Sequence, residues 1–112
     1  MLEGIDQNQY VFYRVASVDE VPNGDRVFFE IGNKPIMLLN IGNLFFAIGD
    51  VCMHDDGPLG DGELDAYELV CPRHGARFDV RNGKATKHPA VASTPWYPVR
   101  VVGNDLEVGF PK

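Results

Sequence analysis

An all-β chain, folded as an antiparallel sandwich or barrel, is predicted by three features of the sequence. Short runs rich in Val, Ile, Phe and Tyr recur along it, Gly-Asn and Asn-Gly steps separate them, and no stretch of any length carries the 3.6-residue period of an amphipathic helix. The spacing leaves room for about eight to ten strands.

Residues 10–15 (YVFYRV), aromatic and β-branched, read as the first strand. Ser17 with Glu20 three residues on matches a capping box, and Pro22-Asn23-Gly24 stops whatever begins there, so one helical turn is expected. Residues 25–31 (DRVFFEI), 34–40 (KPIMLLN) and 44–48 (LFFAI) are separated by Gly32-Asn33 and by Ile41-Gly42-Asn43. Those are residues that tolerate positive φ, and they predict an antiparallel meander. Residues 67–70 and 76–80 are the next runs, Asn82-Gly83 marks a tight hairpin, and 99–102 with 106–110 around Gly103-Asn104-Asp105 supply the last. Repeats and linkers are absent, the first eight residues show no periodicity, and one domain over residues 1–112 is expected.

Composition narrows the function. With 45% hydrophobic residues, seven Phe, four Tyr and one Trp, the chain has the material for a core. Acids and amides stand where a secretion signal needs a basic start and an apolar run, and nothing is long and apolar enough to span a bilayer. A cytoplasmic protein, away from membranes and monomeric when free, is the expectation. The net charge of −6 opposes nucleic-acid binding, which draws on Lys and Arg to neutralise phosphates. Seven of the sixteen acids fall between Asp50 and Glu68, and five of the ten bases between Arg73 and Lys87. Neighbouring strands could pair these charges, or the surface could steer a protein partner.

The most specific stretch is CMHDDGPLGDGELDAYELVCPRH, from Cys52 to His74. Cys52 and His54 are separated by one residue, Cys71 and His74 by two, and sixteen residues lie between the pairs. Two loops, each offering a thiolate and an imidazole, read as a metal site. A disulfide is disfavoured because each Cys has a His beside it. A single tetrahedral zinc is disfavoured because the first pair is closer than its usual two-to-four-residue spacing. A cluster of two metals relaxes that geometry, since each loop can send its Cys to one metal and its His to the other.

CMH followed after sixteen residues by CPRHG resembles the Rieske iron–sulfur signature. The likeness continues through Pro58-Leu59, Gly62, Gly75, Phe78-Asp79, Asn82-Gly83 and Pro89-Ala90, and spans about residues 10–110. It implies a Rieske-like antiparallel β-sandwich or barrel with a small cluster-binding subdomain of two ligand loops, roughly residues 50–90. It also implies one [2Fe-2S] cluster per chain, with Cys52 and Cys71 on one iron and His54 and His74 on the other. Such centres span about −150 to +300 mV, against about −400 mV for plant-type ferredoxins. High-potential members carry two further cysteines, in a disulfide, at positions matching Gly57 and Arg73. They also carry hydroxyl donors at positions matching Ala76 and Phe78. This chain has none of the four, which implies a potential near the low end.

Other conspicuous residues have plainer readings. His88 is expected on the surface, Trp96 in packing at a core or edge, and Met53 as an apolar shield. Asp79 is expected to accept from loop backbone donors, and Arg73 and Arg77 to flank His74 without an assigned role.

Catalysis has little room. Only 38 residues follow His74, with His88 the sole histidine among them, too few for the two-His, one-carboxylate iron domain of an oxygenase. The resemblance therefore implies a non-catalytic carrier, a Rieske-type ferredoxin passing single electrons from an NAD(P)H-dependent flavin reductase to a terminal oxygenase, ring-hydroxylating or related. The alternatives are a small subunit of a nitrite-reductase-like complex, and a cluster-bearing sensor or assembly accessory protein.

Overall fold

A computed structural model describes residues 5–50, 62–71, 75–87 and 94–112. Among them are eleven strands: β1 (Tyr10–Ser17), β2 (Arg26–Ile31), β3 (Lys34–Ile41), β4 (Leu44–Gly49), β5 (Leu64–Asp65), β6 (Glu68–Val70), β7 (Arg77–Asp79), β8 (Ala85–Lys87), β9 (Trp96–Tyr97), β10 (Val99–Val102) and β11 (Asp105–Pro111). They form a terminal sheet in the order β1-β11-β10, a middle sheet β2-β3-β4-β9 and a small sheet β5-β6-β7-β8, with every pairing antiparallel.

The meander follows from its turns. Ile31 pairs with Lys34 and Ile41 with Leu44, so each connection is two residues long, and Gly32, Asn33, Gly42 and Asn43 all have φ between 57° and 67°. Positive φ at both central positions matches the right-handed twist of the flanking strands. Ile41, read as part of a turn, instead ends β3. The Asn82-Gly83 connection is wider than a tight hairpin, with Gly83 N–H and Asn82 N–H both donating to the Asp79 carbonyl. Strands β5, β8 and β9 carried no clear run in the sequence, and each is two or three residues long.

The expected single turn is a 3-10 helix, Val18–Glu20, whose Glu20 carboxylate accepts from the N–H of Ser17 at 2.8 Å and its hydroxyl at 3.0 Å. These two donors hold the Glu20 carboxyl below the usual carboxylate range, the backbone one most strongly.

Strands β3 and β4 each contain five consecutive buried residues, where a sheet wet on one face would alternate. The reason is that the middle sheet is covered on both sides. Met37, Leu39, Phe46 and Ile48 pack with Leu69, Ala76, Phe78 and Val80 of the small sheet and its loops. Ile36, Leu38, Phe45 and Ala47 turn the other way, onto Ala16, Val99, Leu106 and Val108 around the terminal sheet. The fold is thus three antiparallel sheets layered about two cores, within the all-β sandwich or barrel class that was expected. Each fully buried Leu, Ile or Met stabilises it by about 1.5–3 kcal/mol.

Candidate metal centre

Of the four predicted ligands, Cys71 lies within the described residues; Cys52, His54 and His74 lie outside them, as do Met53, Gly57, Arg73 and His88. Cys71 directly follows β6. Its N–H donates to the Ala76 carbonyl at 2.7 Å, and its carbonyl accepts from Gly75 N–H at 3.1 Å. These bonds extend the β6–β7 ladder by one step past the Val70–Arg77 pair, at the base of the segment that carries the second predicted ligand pair. The Cys71 side chain is buried and unbridged, packed among apolar residues on the side of the small sheet that faces the middle sheet.

The stems of the first ligand loop are also pinned. Gly49 N–H donates to the Pro95 carbonyl at 2.7 Å and Asp50 N–H to the Pro35 carbonyl at 3.0 Å. Beyond the loop, Arg26 Nη1 on β2 donates to the Gly62 carbonyl at 2.9 Å. Among the described residues, no group of three or more His, Cys, Asp and Glu stands together.

Cys71, the described member of the predicted donor set, suits a mixed thiolate–imidazole cluster. Cys71 offers a sulfur that no disulfide occupies, its own peptide groups are already satisfied, and its apolar surroundings exclude water. Ala76 and Phe78 are fully buried in the same core as Cys71, so neither supplies a hydroxyl donor there.

Two arginines near the site pair with neighbouring acids. Arg77 Nη1 donates to Asp65 at 2.9 Å and to Glu68 at 3.2 Å, joining β5, β6 and β7. Asp79 accepts Arg81 N–H at 2.9 Å, as its backbone-capping role predicts, and also takes the Arg81 guanidinium on both carboxylate oxygens at 3.0 and 2.8 Å. The guanidinium lies 4.4 Å over the Tyr67 ring, which meets Phe46 edge-on at 5.9 Å. Trp96 is 37% exposed at the edge of the middle sheet. It borders an open cavity of about 310 Å³ that is also walled by Leu44, Phe46, Tyr67 and Arg81 and does not reach Cys71.

Sequence reasoning missed the residues that brace the site. Arg26 had no local signal. Gly83 was visible as a turn residue, with nothing to show that its carbonyl accepts from Thr94 N–H at 2.8 Å.

Residues 11–98 match the family described as the Rieske [2Fe-2S] domain. The ferredoxin component of biphenyl 2,3-dioxygenase from Rhodococcus jostii is 36% identical over 95 residues, covering 85% of this chain and 89% of that protein. The solved structure of the ferredoxin of carbazole 1,9a-dioxygenase from Nocardioides aromaticivorans superposes with a TM-score of 0.83 at 34% identity, over 91% of this chain and 99% of that one. A chain from a complex of reduced oxygenase and oxidised ferredoxin in carbazole 1,9a-dioxygenase superposes with a TM-score of 0.82 at 25% identity, over 91% and 95%. With its CMH and CPRHG pairs, its buried Cys71 and these matches, the chain belongs to the Rieske [2Fe-2S] domain family.

Proposed function

We propose that the 112 residues form one domain, with its cluster-binding part at about residues 50–90, and that Cys52, His54, Cys71 and His74 hold one [2Fe-2S] cluster. In this reading the two cysteines hold one iron and the two histidines the other. When bound, the cluster supplies a one-electron couple. The chain's own residues hold it in place: Cys71 is buried on a hydrogen-bonded loop, and the apolar wall of Leu69, Ala76 and Phe78 keeps water from its sulfur. The chain acts as a carrier in the cytoplasm and not as an enzyme, taking electrons from an NAD(P)H-dependent flavin reductase and delivering them to a terminal oxygenase of the ring-hydroxylating class.

The observation that carries this reading is the near end-to-end match to ferredoxin components, which are of this chain's own size. Identity, not size, favours a carrier over a small subunit of a nitrite-reductase-like complex: the Rhodococcus and Nocardioides ferredoxins are 36% and 34% identical, whereas a nitrite reductase small subunit that superposes over 92% of this chain is 19% identical. Among the described residues no helix is long and apolar enough to cross a membrane.

The test is iron and acid-labile sulfide on natively purified protein, with visible and EPR spectra. Equal iron and sulfide and a reversible one-electron couple, reduced by NADH only when a reductase is added, are expected. A single zinc without sulfide overturns the ligand assignment.

A further inference from the structure

Three segments that lead to or from the ligand loops converge on Thr94. Its N–H donates to the Gly83 carbonyl at 2.8 Å, in the β7–β8 turn of the small sheet. Its hydroxyl donates to the Gly49 carbonyl at 3.2 Å, at the end of β4 in the middle sheet. The Gly49 N–H returns to the Pro95 carbonyl at 2.7 Å. Thr94 is only 2% exposed, so these bonds form away from water, where losing a partner is most costly.

The junction admits no side chain on either glycine without movement. A Cβ on Gly83 would collide with the Thr94 carbonyl oxygen, on a residue whose φ of 74° already disfavours any L side chain. A Cβ on Gly49 would stand 3.2 Å from the Thr94 hydroxyl and 3.3 Å from Pro95 Cδ. Thr94 therefore bridges the two backbones closely, its N–H on Gly83 and its short side-chain hydroxyl on Gly49.

The placement matters because the two ligand pairs belong to different sheets. Cys52 comes three residues after Gly49, in the chain leaving the middle sheet, while Cys71 stands on the β6–β7 connection of the small sheet. A cluster bound from both sides tolerates little error in the distance between those sheets.

We infer that Thr94 and Gly83 are positioning residues for the cluster: their junction with Gly49 sets the stem of one ligand pair against the sheet that carries the other. The inference rests on the ligand assignment proposed above. Thr94→Val removes the hydroxyl and keeps the shape, Thr94→Ser keeps the hydroxyl, and Gly83→Ala pushes the two backbones apart. The holo protein is compared in three readouts: the rate of iron release to a chelator, the EPR g values after dithionite reduction, and the urea midpoint.

Thr94→Val is expected to release iron about five- to tenfold faster, the factor carried by one lost hydrogen bond to a buried carbonyl. Its g values shift, and Thr94→Ser restores both. Gly83→Ala carries less iron per folded chain. Unchanged release and unchanged g values in Thr94→Val overturn the inference, as does a release rate that follows the fall in urea midpoint equally in the Val and Ser variants. A parent protein without iron and sulfide overturns the ligand assignment itself, and this inference with it.

Discussion

Arg26, on the edge strand of the middle sheet, donates from Nη1 to the carbonyl of Gly62 at 2.9 Å, across 36 residues of chain. Gly62 is buried just ahead of β5, so this bond and the Thr94 junction brace the two ends of the first ligand loop. Arg26→Met keeps the stem and removes the donor. A lost charge-assisted bond to a buried carbonyl costs about 1–3 kcal/mol. In a chain of this length each kcal/mol lowers the thermal midpoint by about 4–8 °C. Calorimetry on the holo protein checks it, with Arg26→Lys expected to fall between parent and Met.

Asn40 is the second bracing residue. Buried in β3, it donates from its side-chain amide to the Val21 carbonyl at 2.8 Å and accepts from Asn43 N–H at 2.8 Å, tying the segment after the 3-10 turn to the β3–β4 hairpin. Asn40→Ala leaves the Val21 carbonyl buried without its donor. A loss of about 2–3 kcal/mol in urea denaturation is expected, well beyond what the trimmed apolar volume explains.

Asp79 makes stability depend on acid pH. The Arg81 guanidinium holds its carboxyl below the usual carboxylate range; burial opposes this, and the Arg81 N–H and the Lys84 charge add to the lowering. A depressed folded value means that the unfolded chain takes up the proton first, so stability rises with pH across the window between the two values. The contribution is fully present above the unfolded value of about 3.9 and is lost as pH falls through the folded value below it. The stability gap between parent and Asp79→Asn is therefore expected to be widest at neutral pH and to close below about pH 4. Urea midpoints measured across that range give the test, and a gap that stays constant contradicts it.

Ala76 and Phe78 bear on the potential. Both are fully buried beside Cys71 and neither carries a hydroxyl, so the extra electron on a reduced cluster lacks two donors. A midpoint below about +100 mV is expected, within the lower part of the Rieske range. Phe78→Tyr and Ala76→Ser each add a donor and should raise it, by about 60 mV for a bond worth about 1.4 kcal/mol. Protein-film voltammetry decides this, and a fall in potential on adding either hydroxyl contradicts the argument.

What was legible in the sequence was local. Gly32-Asn33 and Gly42-Asn43 specify their hairpins because positive φ at both central residues is a property of those residues alone. Ser17 and Glu20 specify their turn because both partners lie within four residues. The four candidate ligands were legible for the same reason: thiolates and imidazoles at short, fixed spacings carry their chemistry in the residue types.

Tertiary structure decided what depends on partners far apart in the chain. The five-residue buried runs of β3 and β4 did not reveal that alternate side chains enter two separate cores, because burial on both faces removes the alternation that would mark each face. Nor does anything near Arg26 point to Gly62, or anything near Gly83 to Thr94. Those contacts exist only once the small sheet has packed against the middle one, and they join the segments that flank the two predicted ligand pairs.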